Sequence, residues 1–305
     1  MSDLIFHGEQ FEKIVDIIES AKERAYRKVN EELILMYRDI GEYISLQSEN
    51  AEYGDAFVQK LADFFAKNYP ELKGYNRRGL YRMIQFYELY KDNEKVSPLV
   101  TQLTWTHYVI LISLKDYNKI NYYINQITLR NLSKRELENI IKSKEYERLD
   151  ESTKLKLITK EENKVSDFIK NPILIKNSYN YTEISEKILQ KLILEDISSF
   201  LDELGTGFTF IKNEYKIKIG NSYNYIDLLL FNYEYNCFIV VELKVTELRK
   251  EYIGQIEVYM NYIDNNLKKV TQDKTIGIII CKKDNHFIME YCSDDRLISR
   301  EYSLL

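Results

Sequence analysis

The chain has 305 residues, 45% hydrophobic and 30% charged, with 26 tyrosines and a formal net charge of −5. That is enough apolar material for one or two packed domains, and too little positive charge for a protein that coats nucleic acid nonspecifically. The 3 cysteines have no paired spacing, the 3 histidines lie far apart, no apolar run is long enough to span a membrane, and the N-terminus lacks a signal-peptide core, so a disulfide scaffold, a Cys/His zinc site and a membrane protein are excluded and a reducing cytoplasmic setting is expected.

From Phe11 to Ile44, apolar residues recur at helical spacing (Ile14, Ile17, Ile18, Ala21, Ala25, Val29, Leu33, Tyr37, Ile40), which predicts one long amphipathic helix or two shorter ones. A helix is expected over Ala56–Asn68, a loop at Pro70, Gly74 and Asn76, and a third helix over Arg77–Tyr90 with Leu80, Met83, Tyr87 and Tyr90 on one face. The third helix opens on Arg77, Arg78 and Arg82, near Lys73. Such a cluster can contact phosphates, and it can equally be a solvated helix face. Trp105 and His107, in the stretch Leu103–Leu114, read as packing residues. Asp116–Arg130 is a further helix, and Ser133-Lys134-Arg135-Glu136 has the spacing of a capping box before another. Residues 1–150 are thus expected to form an all-α domain for DNA or partner binding. Residues 151–170, charged and poor in large apolar groups, read as a linker.

The pattern changes from residue 171 onward. A helix is predicted over Thr182–Leu204, stopped by Gly205 and Gly207. Strands follow at Phe208–Lys212, Tyr215–Ile219, Tyr225–Phe231 and Cys237–Val245, then a helix from Glu251 to about Asn265, and strands at Ile276–Cys281 and Phe287–Tyr291. This order fits an α/β domain with a mixed sheet flanked by helices, over residues 171–305, with the strand through Phe238–Val241 at its centre.

That central strand carries Glu242 and Lys244, and the strand before it carries Asp227. Side chains alternate along a strand, so Glu242 and Lys244 share a face while Leu243 points away. A Glu-x-Lys pair is usually a surface ion pair, but apolar flanks make burial without purpose costly. Two carboxylates and a lysine suit metal-dependent phosphodiester cleavage, in which the acids hold Mg²⁺ (Mn²⁺ as substitute) and the lysine orients a water or offsets phosphate charge. On the next helix Glu251, Gln255 and Tyr259 are spaced by four and form a polar stripe, with Ile253, Ile256 and Met260 as an apolar face.

Several stretches match a known family in combination. They are Phe200-Leu201-Asp202-Glu203-Leu204-Gly205-Thr206-Gly207-Phe208, Tyr225-Ile226-Asp227-Leu228-Leu229, Val241-Glu242-Leu243-Lys244, Glu251-Tyr252-Ile253-Gly254-Gln255, Tyr259 and Ile276-Gly277-Ile278-Ile279-Ile280-Cys281. Met36-Tyr37-Arg38-Asp39-Ile40-Gly41, Phe86-Tyr87 and Leu103-Thr104-Trp105-Thr106-His107 add to them in the first half. The chain resembles the YhcG-like family of bacterial proteins, which pair a helical N-terminal domain with a PD-(D/E)XK nuclease domain. The resemblance implies a restriction-endonuclease-like core. In it Asp227, Glu242 and the backbone carbonyl of Leu243 hold Mg²⁺, and Lys244 positions the attacking water. It also implies that Gln255 and Tyr259 match the Gln-xxx-Tyr motif of RecB-like nucleases, and that Glu195 is the helix acid that completes the site. Two departures are Ile226 before Asp227, where proline is common, and Asn171-Pro172-Ile173-Leu174 in place of an acidic-Pro-Tyr approach to the domain.

The resulting expectation is a Mg²⁺-dependent nuclease acting on DNA in processing, repair or defence, with a homodimer as the oligomeric form considered. Its rival is a catalytically silent nuclease-like scaffold in a DNA-processing complex.

Overall fold

The computed structural model describes residues 2–49, 54–91, 103–159, 161 and 164–305. The chain forms two compact units, Met1–Tyr146 and Glu147–Leu305. The first is helical: α1 (Ser2–Glu49), α2 (Gly54–Asn68), α3 (Arg77–Tyr90), α4 (Trp105–Leu111), α5 (Tyr117–Arg130) and α6 (Lys134–Lys142). Ile44 of α1, Val58 and Ala62 of α2, and Leu80 and Met83 of α3 share one core cluster. The close packing of α1 on α3 depends on Gly41, because a Cβ there would lie 2.1 Å from the Met83 carbonyl oxygen. Trp105 packs against Tyr37 at 4.4 Å and Phe86 at 5.5 Å between ring centroids, and His107 is buried beside Thr104, so both serve packing. The capping box closes α6: Ser133 N donates to Glu136 at 2.7 Å and Glu136 N to the Ser133 hydroxyl at 3.4 Å. One expectation differs. Phe11, Ile14, Ile17 and Ile18 of α1, read as part of an inward stripe, are 48% to 62% exposed.

The second unit holds α7 (Glu151–Thr159), β1 (Ile173–Ile175), α8 (Glu186–Glu195), α9 (Ile197–Leu204), β2 (Phe208–Ile219), β3 (Ser222–Asn232), β4 (Cys237–Glu247), α10 (Lys250–Asn266), β5 (Asp273–Lys283), α11 (His286–Glu290) and β6 (Leu297–Leu304). The sheet order is β1-β6-β5-β4-β3-β2. β4, β5, β6 and β1 run parallel, while β3 and β2 are antiparallel, so the sheet is mixed and β4 is interior to it. Alternate residues of β4 feed two cores. Ile239, Val241 and Leu243 pack with α8 and α9, and Val240 packs with Ile256, Met260 and Ile263 of α10. Gly277 lets β5 lie close under α10, since a Cβ would sit 2.6 Å from the Met260 sulfur.

Three readings are corrected here. Within the stretch 151–170, Glu151–Thr159 forms α7 and described residues have partners: Lys156 donates to Asp167 at 2.8 Å, Arg300 to the Ile169 carbonyl at 3.1 Å, and Asp167, Ile169 and Lys170 are buried. Just before it, Arg148 pairs with Glu203. Its charges meet partners distant in sequence, which a local composition count reads as solvated. The expected helix 182–204 is broken at Asp196, whose carboxylate accepts from Ser199 N at 3.3 Å and so caps α9. The apolar run Phe287–Tyr291 forms α11 rather than a strand, and the strand beside β5 is β6.

Candidate active site

Glu242 and Lys244 are carried on the α10 side of β4 and are buried, at 2% and 8% exposure. Their side chains meet: the Lys244 ammonium donates to Glu242 Oε2 at 3.3 Å. Gln255 comes down from α10, and its Nε2 reaches both Glu242 Oε2 at 3.2 Å and the Tyr259 hydroxyl at 3.0 Å. The i, i+4 spacing of Gln255 and Tyr259 makes this bridge possible. The aromatic ring of Tyr252 lies 5.2 Å from the Lys244 ammonium.

Asp227 enters from β3. Backbone pairing between β3 and β4 runs from Asn232↔Cys237 to Leu228↔Val241. One residue further, the Asp227 carboxylate itself accepts the Leu243 N–H at 2.8 Å. The acid therefore sits where the two strands part, one residue along β4 from Glu242. Gln190 of α8 holds it from behind, donating Nε2 to the Asp227 carbonyl at 3.1 Å.

The helix acid is the point where geometry and sequence expectation part. Glu195 lies at the far end of α8, beside Lys191 at 3.8 Å. Glu186, in the first turn of the same helix, places Oε1 3.8 Å from the Lys244 ammonium. Nine residues of helix separate the two, roughly 13 Å along the axis. The structure thus brings together Asp227, Glu242, Lys244, Gln255, Tyr259 and the Leu243 backbone, adds Glu186 and Gln190, and leaves Glu195 aside. The local spacing Glu186, Gln190 was the available signal, since the two share a helix face. Arg77, Arg78 and Arg82 belong to the first unit: Asn76 caps α3 by accepting from Gly79 N, and the Arg77 guanidinium stands 5.5 Å from the Tyr81 ring centroid.

The electrostatics are those of a site short of positive charge. Burial, and then the neighbouring Asp227 charge, push the Glu242 carboxyl up to about 8, against the pull of Lys244. Burial also raises Asp227, opposed by the Leu243 N–H and by Lys244. Burial works to lower the Lys244 ammonium, but Glu242, Glu186 and Asp227 outweigh it and hold the lysine above its ordinary value. Glu242 Oε1 is buried with no hydrogen-bond partner. Among the described residues, no three His, Cys, Asp or Glu side chains gather into a ready-made metal cluster. The donors gathered here are instead two carboxylates, one of them with a partnerless oxygen, and they fit a hard divalent cation.

Residues 13–148 match the DUF1016 N-terminal domain, and residues 166–301 match the YhcG PDDEXK nuclease domain. The chain belongs to the YhcG-like family. Its second unit is a nuclease domain of the PD-(D/E)XK class. YhcG of Escherichia coli (strain K12) is 23% identical over 307 aligned residues, covering 88% of this chain and 81% of that protein. Two solved structures are also similar. A repair endonuclease from Pyrococcus abyssi is 19% identical, with 40% of this chain and 48% of that one covered and a TM-score of 0.29. An EndoMS–dsDNA complex is 19% identical, with 41% and 48% covered and a TM-score of 0.31. The chain spans about half the length of both, a likeness too slight to bear on function.

Proposed function

We propose that the protein is a metal-dependent nuclease that hydrolyses DNA phosphodiester bonds. The observation that carries this reading is the pair Asp227 and Glu242 held side by side on diverging strands, with a partnerless Glu242 oxygen and a buried lysine next to them. Asp227, Glu242 and the Leu243 carbonyl would hold Mg²⁺ or Mn²⁺. The bound cation would polarise the phosphate and lower the pKa of the attacking water. Lys244 orients that water or offsets charge on the phosphate as the P–O bond breaks. Gln255 fixes the Glu242 carboxylate and is itself fixed by Tyr259, while Glu186 keeps Lys244 charged and positioned.

Arg77, Arg78 and Arg82 contribute phosphate contacts from the helical unit in this reading. A homodimer is retained in it as well, with the exposed Phe11, Ile14, Ile17 and Ile18 of α1 as the apolar face that a second copy would cover. Cys237 and Cys281 are buried thiols, which suits a reducing cytoplasmic setting. No described helix is long and apolar enough to cross a membrane.

One observation favours the silent-scaffold alternative, namely that Lys244 already neutralises part of the acid pair. Incubating the pure protein with linear, nicked, forked and junction DNA in Mg²⁺, Mn²⁺ or EDTA decides between them. Metal-dependent products support the nuclease. DNA binding without cleavage in either metal supports the scaffold.

A further inference from the structure

Beyond Asp227, β3 no longer pairs with β4 and continues with β2 as a two-stranded arm. In its register Lys216 lies opposite Tyr225 and Lys218 opposite Tyr223. Directly opposed residues of an antiparallel pair share a face, so these four side chains form one patch. Tyr223 and Tyr225 are 56% and 52% exposed, and both lysines are exposed. The Lys216 ammonium stands 3.8 Å from the Tyr223 ring centroid and that of Lys218 6.0 Å. The arm is anchored by its other residues: Ile217 and Ile226 are buried in the core beneath α10, with Tyr215 and Ile219 packed against it. The patch is therefore a fixed surface, and it begins two residues, about 7 Å of strand, from Asp227.

Two large rings held side by side in solvent do nothing for the core, and a chain of net charge −5 places three lysines against one glutamate between Lys212 and Lys218. Aromatic faces interleaved with lysine are what an unpaired nucleic-acid strand needs, since bases stack on the rings while ammonium groups take the phosphates. A duplex hides its base faces and can use only the lysines.

We propose that the β2–β3 arm grips unpaired DNA next to the cleavage site, with Tyr223 and Tyr225 as stacking platforms and Lys216 and Lys218 as phosphate contacts. The proposal rests on the nuclease reading for its substrate class. It assigns that substrate a single-stranded segment, as in a flap, fork or gap.

The test is fluorescence anisotropy in EDTA, where binding is read without cleavage, using a labelled single-stranded 20-mer and its duplex with the full-length protein. The double variant Tyr223→Ala/Tyr225→Ala should bind the single strand about tenfold or more weakly and the duplex within about twofold of the parent. Tyr223→Phe/Tyr225→Phe, which keeps the rings, should restore single-strand binding. Lys216→Gln/Lys218→Gln should lower the single-strand salt slope by about 1.4. Equal single-strand binding by the alanine variant and the parent overturns the proposal, as does a parent that binds duplex alone. Failure of the parent to cleave in Mg²⁺ or Mn²⁺, with the arm's binding pattern intact, removes the nuclease reading and leaves the arm standing.

Discussion

In the second unit, Glu242 and Lys244 are carried into the interior of a six-stranded sheet, whereas Arg77 and Arg78 of the helical unit stand in solvent at the start of α3. Both clusters are small and charged, and both were legible as candidates. They differ in what the fold gives up to keep them. Burying ionised groups costs several kcal/mol each before pairing, and replacing such a pair with apolar residues is often neutral or stabilising. The β4 charges therefore need a reason outside folding. The arginines cost far less, although cations at a helix N-terminus oppose the helix dipole by some tenths of a kcal/mol each. Burial makes a charged residue informative about function, and exposure leaves it ambiguous.

The comparison can be broken most sharply at the acids. Asp227→Asn and Glu242→Gln should each lower single-turnover cleavage by about 10³-fold or more, with weaker Mn²⁺ binding by calorimetry. Unchanged Mn²⁺ affinity in either variant would remove that acid from the metal site. Lys244→Ala should cost cleavage about 10²-fold while leaving Mn²⁺ and DNA affinity near the parent's. Cleavage within about twofold of the parent would end its assigned role. Next in size is the helix acid. Glu186→Gln is expected to slow cleavage about tenfold by loosening Lys244, against less than about twofold for Glu195→Gln. The reverse ranking would return the role to Glu195.

Changing Arg77, Arg78 and Arg82 together to Gln should flatten the salt dependence of duplex binding by up to about 3 in log–log slope. Mn²⁺ affinity should not move. A slope parallel to the parent's would leave the arginines as a solvated helix face. The smallest effect is on stability. The folded Glu242 carboxyl titrates near 8, above its unfolded value, so the folded protein binds the extra proton between roughly pH 4.5 and 8. Metal-free protein should therefore lose stability as pH rises through that window, by a few degrees in Tm, and Glu242→Gln should flatten the trend. A metal-free Tm that rises from pH 5 to 8, with Glu242→Gln tracking the parent, would contradict the buried acid pair.

Much of the site was legible because it is local. Asp227, Glu242 and Lys244 stand out against apolar neighbours, and Gln255 with Tyr259 follows from one helical turn. Glu186 was missed because α8 offers an acid at each end, and the Glu186, Gln190 spacing that marks one of them gains its meaning from the path of β3 and β4 beside it. The break at Asp196 was missed because a capping carboxylate inside a continuous apolar pattern looks like a surface residue. The stretch 151–170 read as a linker because its partners are remote: Lys170 donates to the Asp202 carbonyl and Ile169 accepts from Arg300, and contacts across 32 and 131 residues leave no local trace. The two apolar periods that did mislead, at Phe287–Tyr291 and at Phe11–Ile18 of α1, were too short or too solvated to be decided by pattern alone.

The hydrogen bond from Leu243 N to Asp227 bears on how an inactive protein should be made. The carboxylate takes the place of a main-chain rung at the point where the two strands separate, so the group proposed for chemistry is also the last stitch in the seam. Trimming it to a methyl group would leave an orphan amide beside the already partnerless Glu242 oxygen, and a loss of activity could not then be told from a loosened strand. Asparagine keeps an oxygen at that position while removing the charge. Of the simple replacements, it is the one whose silence can be read as chemistry.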